Sequence, residues 1–387
     1  MKTVITAGNL FTPLEVMESP VVVIEDGQVA LVKPRRQMEV PASARHHDFP
    51  GMVIAPGFID IHVHGNAGHD VMETNDSALT TIGRAMARHG VTSYLATTVT
   101  APEDRLLRAL EFLGKSISSK DGGKGPRPLG IHLEGPFISH ARRGVHPAES
   151  LAQPSARLLD RFWQASGGTL RMMTIAPELP GAIETIQHAK HLGVHSSLGH
   201  SNATHKEALR GIEAGARHAT HTFNAMRPLD HREPGVLGAA LSDERLTADI
   251  IADGIHVDPS MVKLFLRAKG AERAVLITDA ISATGMGNGR YKLGPFEVEV
   301  KDGRCEHEGK LAGSVLTLDR AVRNVMSFAA WSLQETIKLA TVNPARLLGA
   351  ARQKGVVAPG CDADLVVLTP TGEVVQTFAG GSACEAS

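Results

Sequence analysis

Eight short apolar runs of strand length recur through the middle of this chain, and no other feature limits its possible folds so strongly. They cover residues 58–64, 91–97, 129–133, 170–176, 194–198, 218–222, 247–251 and 274–278. Stretches with helical spacing follow most of them, at 77–89, 102–113, 155–165, 183–191, 206–213 and 259–268. Strands separated by helices pair in parallel, with the helices packed outside. Eight such units over residues 55–344 predict an α/β fold, a (β/α)8 or TIM-like barrel. A doubly wound open sheet is the alternative. It would need fewer strands and a glycine-rich phosphate loop, and no G-x-G-x-x-G follows the first run. Residues 290–309 read as a hairpin inserted into the barrel.

The two ends of the chain have a different pattern. Val21-Val22-Val23-Ile24, the turn Glu25-Asp26-Gly27 and Val29-Ala30-Leu31-Val32 form a hairpin signature. Residues 360–378 repeat it, with Thr371-Gly372-Glu373 as the turn. Neither flank has enough strands to be stable alone. Residues 1–54 and 345–387 are therefore expected to build one small β-sandwich domain together.

Composition removes several function classes. The chain has 387 residues, with 40 basic against 41 acidic, and carries no electrostatic footprint for nucleic acid or an anionic membrane. Aromatic residues are only 4%, too few for a base-stacking platform. No apolar run approaches the roughly 20 residues that span a bilayer, and the start, Met1-Lys2-Thr3-Val4-Ile5, lacks the apolar core of a signal peptide. Cys305, Cys361 and Cys384 are scattered and read as unpaired thiols in a reducing cytoplasm. Histidine is the outlier, at 19 residues.

Several of those histidines end strands. His62 and His64 alternate with Ile61 and Val63 at the period of a strand, so both imidazoles point to one side. Alone, such a pair fits metal ligation or two core histidines equally well. The third run ends in His132-Leu133-Glu134, the fifth in Leu198-Gly199-His200, the sixth carries His221, and the eighth ends in Thr278-Asp279. All lie at carboxyl ends of strands, where barrels of this kind carry their chemistry. Four histidines, a glutamate and an aspartate on one rim predict a metal site.

With these residues in place, the chain resembles the amidohydrolase superfamily and, within it, the family of deacetylases acting on N-acetylglucosamine 6-phosphate. The resemblance spans essentially the whole chain. It is carried by Glu134-Gly135-Pro136-Phe137, Gly144-Val145-His146-Pro147, His221-Thr222-Phe223-Asn224-Ala225-Met226, Arg232-Glu233-Pro234-Gly235, Asp253-Gly254-Ile255-His256 and Leu311-Ala312-Gly313-Ser314. Many superfamily members use a lysine after the fourth strand. Here that stretch, Thr174–Glu178, has none, and Glu134 resembles the deacetylases' metal-bridging glutamate.

The resemblance implies a hydrolase of amino-sugar catabolism that is loaded with a divalent metal. Glu134, His200 and His221 would hold one ion; some family members work with that ion alone, and His62 and His64 with Glu134 would hold the second where two are bound. Zinc is the first choice, with iron, manganese or cobalt as alternatives. Asp279 would take the proton of the attacking water and return it to the leaving amine. His146 and His256 would hydrogen-bond the acetyl oxygen or sugar hydroxyls, with His146 preferred at the oxyanion. Asn224, Ala225 and Arg232 would receive the sugar phosphate, Arg232 from across a homodimer. Arg227 and His231 are further candidates. Leu311–Ser314 would line the sugar pocket or cap a helix. The alternatives are the N-acetylgalactosamine 6-phosphate epimer or another amide substrate. A non-catalytic metal-binding barrel is set aside, because no expected ligand is missing.

Overall fold

A computed structural model describes residues 2–12, 15–38, 44–119 and 125–385. Residue 1 and residues 386–387, at the ends of the expected small domain, lie outside them.

The eight apolar runs form one parallel sheet of eight strands. They are β1 (Phe58–Val63), β2 (Val91–Thr98), β3 (Arg127–Glu134), β4 (Leu170–Ile175), β5 (His195–Leu198), β6 (His218–Ala219), β7 (Thr247–Ile251) and β8 (Ala274–Ile277). Neighbours in sequence are neighbours in the sheet. The ring closes between β1 and the residues just past β8. Val63 bridges Ala280, and the Asp279 N–H donates to the His62 carbonyl at 2.9 Å. β1 and β2 are buried along their whole length, as expected of parallel strands covered on both faces.

A helix follows each strand: α1 (Asp76–Ala87), α2 (Glu103–Ser118), α3 (Ala156–Ala165), α4 (Ala182–His191), α5 (His205–Ala214), α6 (Gly235–Ser242), α7 (Pro259–Lys269) and α8 (Leu318–Ala329). Their starts follow from capping chemistry. Asn75, Ser155 and Asp258 each accept a first-turn N–H, and Thr204 and Glu207 form a capping box on α5. Helices α6 and α8 have no counterpart among the predicted helices, and for α6 the reason is local. Its sequence, GVLGAALS, has almost no polar face, so it lacks the amphipathic period that marks a surface helix.

β6 is shorter than its apolar run. Only His218 and Ala219 pair as strand. Past them the backbone enters the left-handed region, with φ of 31° at His221 and 82° at Phe223. The turn that ends the strand is the turn that presents His221.

Both chain ends join one further eight-stranded sheet. Thr3–Phe11 runs parallel to Arg45–Pro56, which pairs antiparallel with Leu365–Leu368, and that strand with Val374–Ala379. The sheet curls until Gln28 bridges Asp362. Strand alternation divides its side chains between two cores. Ile54, Leu365 and Val367 face its own interior, while Val53, Ala55, Val366 and Leu368 join the barrel's core. The insertion after β8 is a four-stranded antiparallel sheet, Gly289–Leu293, Phe296–Lys301, Arg304–His307 and Lys310–Leu311, larger than the single hairpin expected.

Candidate metal centre

The side chains that end β1, β3, β5, β6 and β8 converge at the carboxyl rim of the barrel. Glu134, the last residue of β3, is at their centre. Its Oε1 lies 3.0 Å from His221 Nε2, 3.3 Å from His200 Nε2 and 3.3 Å from His62 Nε2. Its Oε2 lies 3.3 Å from His64 Nε2 and 3.6 Å from His146 Nε2. Asp279 Oδ1 stands 3.1 Å from His64 Nε2 and 3.6 Å from His62 Nε2. Two ligand groups result, Glu134 with His200 and His221, and His62 with His64 and Asp279. Asp279 thus stands with the β1 histidines, beside its expected place as proton acceptor.

The local backbone explains the convergence. His200, His221 and Asp279 have φ of 46°, 31° and 51°. Non-glycine residues rarely adopt this region, and where they do the surrounding contacts hold them there. Asp249 on β7 supplies one such contact: its Oδ1 accepts the His221 N–H, and its Oδ2 lies 2.8 Å from His218 Nε2. Glu178 supplies another, accepting from the Asn202 N–H at 2.6 Å and the Ser201 hydroxyl at 2.7 Å just beyond His200. Asp60, buried in β1, accepts the Thr278 hydroxyl at 2.6 Å beside Asp279.

Hydrogen bonds on the far side of each ring determine what its near side offers. His200 Nδ1 donates to the Arg142 carbonyl at 2.9 Å, and His64 Nδ1 to the Thr97 carbonyl at 2.9 Å. A carbonyl only accepts, so Nδ1 carries a proton in each ring, and in the neutral form it is the Nε2 lone pair that faces the cluster. That is the orientation of a metal-ligating histidine. His62 Nδ1 meets the Thr220 hydroxyl at 3.1 Å. The Nδ1 of His221 is buried without a partner.

Charge distribution supports the same reading. Burial raises the Glu134 carboxyl, but His62 and the facing rings of His146, His200 and His221 outweigh it and hold the group well below the usual carboxylate range. Burial raises Asp279 as well, and His62 and His64 bring it down to about 2. Burial lowers His200 to about 4 in spite of Glu134, which keeps that ring neutral. His64 and His221 move the other way. Burial lowers both, but the neighbouring carboxylates lift His64 well above its ordinary value and His221 to about 9. With no cation opposite the carboxylates those two rings keep a second proton, which a bound metal ion would displace, leaving two ionised carboxylates and imidazole lone pairs as a buried donor set. Its N/O chemistry suits zinc or a similar divalent ion, so the residues present fit the group.

A cavity of about 220 Å³ opens above the cluster. His64, Glu134, His200, His221 and Asp279 form part of its lining, with His146, Asn224, Ala225 and His256 from the loops. Leu311, Ala312 and Gly313 line it too, while Ser314 turns away to donate to the Thr278 carbonyl at 2.6 Å. His256 is braced through Nδ1 by Asp253 at 2.7 Å. Arg232 is exposed and away from this lining, as is His231, and Arg227 donates to the Asn202 carbonyl at 3.4 Å. Val99, Leu293 and Phe296 also line the cavity and were not among the residues expected there. His132, which ends its run as the ligands do, points elsewhere. Its ring nitrogens lie 3.2 Å from the Ile61 carbonyl and 2.9 Å from the Thr174 hydroxyl.

Comparison with known proteins gives one consistent grouping. The profile of the amidohydrolase family matches residues 53–384. The chain is 36% identical over 376 residues to N-acetylglucosamine-6-phosphate deacetylase of Bacillus subtilis (strain 168), covering 96% of this chain and 94% of that one. It is 38% identical over 382 residues to N-acetylgalactosamine-6-phosphate deacetylase of Escherichia coli O157:H7, covering 98% and 99%. The structure of an N-acetyl-D-glucosamine-6-phosphate deacetylase variant from Mycobacterium smegmatis, in complex with N-acetyl-D-glucosamine-6-phosphate, superposes with a TM-score of 0.92 and 34% identity over the full length of both chains.

Proposed function

This chain belongs to the amidohydrolase family, and from that membership we propose a metal-dependent deacetylase that hydrolyses N-acetylglucosamine 6-phosphate to glucosamine 6-phosphate and acetate. The observation that carries the reading is the convergence of five ligand-type side chains around Glu134, under a cavity whose loops carry His146, Asn224 and His256.

A divalent ion held by Glu134, His200 and His221 would lower the pKa of a water and polarise the acetamide carbonyl. A second ion would rest on His62, His64 and Asp279, with Glu134 between the two groups. Zinc is the first choice, ahead of iron, manganese and cobalt. The chain's own groups account for the proton traffic. Asp279 is ionised and aimed into the cavity, so it accepts the proton of the attacking water and returns it to the amine as the C–N bond breaks. His146 donates through Nε2 to the acetyl oxygen as negative charge develops on it. His256 Nε2, opposite its bond to Asp253, accepts from a sugar hydroxyl.

Asn224 and the backbone of Ala225 stand beside His221 and are proposed to receive the phosphate end. The cavity's described lining includes no lysine or arginine, yet a phosphate needs a cationic donor. Arg232 sits exposed on the loop between β6 and α6. We assign it to the cavity of a neighbouring copy in a homodimer. The three cysteines are free, which suits a reducing cytoplasm.

A second reading is favoured by the similarity to the N-acetylgalactosamine-6-phosphate enzyme, since the two sugars differ at one hydroxyl. The test is acetate release from both sugar phosphates, with and without chelator, alongside metal analysis of the purified protein. Release from the gluco sugar that stops on chelation is expected. Preference for the galacto sugar would install the second reading, and release that survives complete metal removal would remove both.

A further inference from the structure

The inserted sheet reaches into the cavity with two side chains, and their placement is specific. Leu293 and Phe296 are directly paired across a hairpin that turns at Gly294-Pro295, so both project from the same face of the ribbon. Both line the cavity, together with Val99, the residue just past β2. Contact between the two elements is close. A Cβ added to Gly294 would lie 2.2 Å from Val99 Cγ2, and Gly294 has φ of 53°. Only glycine lets the hairpin tip seat here.

The tip is also tied down on both sides of that residue. The Gly294 N–H donates to Asp70 Oδ2 at 2.6 Å, and Arg105 Nη2 donates to the Gly294 carbonyl at 3.2 Å. Asp70 lies in the loop after β1 and Arg105 in α2. One residue before Leu293, the Lys292 carbonyl accepts from the Ser282 hydroxyl. Val99 and Leu293 are 2% and 3% exposed, so the apolar wall they form with Phe296 is a fixed surface.

The position of this wall selects what it can touch. β2 and β6 are four strands apart in a ring of eight, hence on opposite sides of the mouth. Asn224 and Ala225 follow β6 and His256 follows β7, so the polar groups that suit hydroxyls and phosphate are across the cavity from Val99. His64, whose Nδ1 is held by Thr97, and Glu134 at the end of β3 flank the wall. A substrate with its carbonyl carbon over Glu134 and Asp279, and its sugar toward β6 and β7, leaves one group facing β2. That group is the acyl methyl, the substrate's only purely apolar end.

We propose that Val99, Leu293 and Phe296 form the acyl-binding wall and set the length of N-acyl chain that is hydrolysed. This rests on the deacetylase reading. The inserted sheet is thereby a specificity element, held at a fixed distance from the reacting carbon by the Asp70 and Arg105 bonds to Gly294.

The test compares kcat/KM of the metal-loaded enzyme on N-formyl, N-acetyl, N-propionyl and N-butyryl glucosamine 6-phosphate. A methylene in an apolar pocket changes such ratios by roughly 10-fold or more. Phe296→Ala and, from the other hairpin strand, Leu293→Ala should each raise the butyryl-to-acetyl ratio by about that factor. Val99→Ile should shift the formyl-to-acetyl ratio upward. If Phe296→Ala lowers all four substrates by the same factor, the ring packs against the sugar and the proposal fails. If the wild-type enzyme releases acid from none of the four, the deacetylase reading itself is gone. A wild type active on the acetyl sugar, with ratios unmoved by all three substitutions, overturns only the wall.

Discussion

The backbone N–H of Thr100 donates to Nδ1 of His146 across 3.3 Å. A backbone amide can only donate, so Nδ1 must accept, and the neutral ring carries its proton on Nε2. This is the reverse of His64 and His200, whose Nδ1 atoms face carbonyls. Three histidines on one rim therefore divide into two lone-pair donors and one proton donor, according to backbone atoms behind them. We expect His146→Asn to lower kcat by about 10²–10³, the usual effect of removing one oxyanion donor, while metal content stays at the wild-type level. Steady-state kinetics with metal analysis checks both halves. A variant that lost its metal would instead place His146 among the ligands.

Asp279→Asn preserves shape and removes the proton acceptor. Turnover should fall by about 10²–10⁴, the range of a general acid/base. The ion on Glu134, His200 and His221 should remain, since Asp279 lies outside that group. Full turnover in this variant would take the proton-transfer role away from Asp279.

Metal stoichiometry separates the two ligand groups. Removing His62 and His64 together should reduce bound metal from two ions per chain to one. Glu134→Ala, which empties the space between both groups, should abolish tight binding and acetate release together. Elemental analysis after dialysis gives the count. Equal metal content in wild type and the double-histidine variant would show that the β1 pair holds no ion.

Asp249 predicts a cost in stability as well as in function. It accepts from the His221 backbone and faces the His218 ring, with both side chains fully buried. Asp249→Ala leaves those donors without a partner, at about 1–3 kcal/mol each. Urea denaturation should show the loss, and metal affinity should fall with it because the backbone that holds His221 is released. Unchanged affinity in a folded variant would mean that the left-handed turn holds without Asp249.

Asp319 gives the fold an acid-sensitive joint. Its carboxylate meets His89 at 3.1 Å, after α1, and Arg323 at 2.8 Å within α8. Burial raises this carboxyl, but His89, Thr317 and Arg323 overcome that and hold it well below its ordinary value. A depressed folded-state pKa adds stability above the unfolded value of about 3.9 and loses it as pH falls through the folded value. The stability gap between wild type and Asp319→Asn should therefore be widest near neutrality and narrow below about pH 4. Denaturant titrations of both proteins across that range measure it. A gap that stayed constant down to pH 2 would remove the ion pair from the account.

The barrel was legible because its signal repeats: eight apolar runs, each long enough to pair, with helices between them. The convergence of His62, His64, Glu134, His200, His221 and Asp279 was legible for a related reason, since strand-end positions are fixed by where each run stops. What escaped has no local signature. The carbonyls of Arg142 and Thr97 that orient His200 and His64 are backbone atoms, present at every residue. Asp249 and Glu178 act from neighbouring strands and look in sequence like ordinary carboxylates. His132 shows that a strand-end place is not enough, for its ring is turned between Ile61 and Thr174. Val99 is almost two hundred positions from Leu293, and only the folded insertion brings them together.

The closing of the ring has a consequence for synthesis. Asp279 takes its position from a bond to the His62 carbonyl, and Ala280 from pairing with Val63. A nascent chain that has emerged past the turn after β6 already holds Glu134, His200 and His221. It has no Asp279 and no seal between first and last strands. On the proton role proposed for Asp279, chemistry waits for the ribosome to deliver β8, and the act that completes the cylinder would also switch on the enzyme.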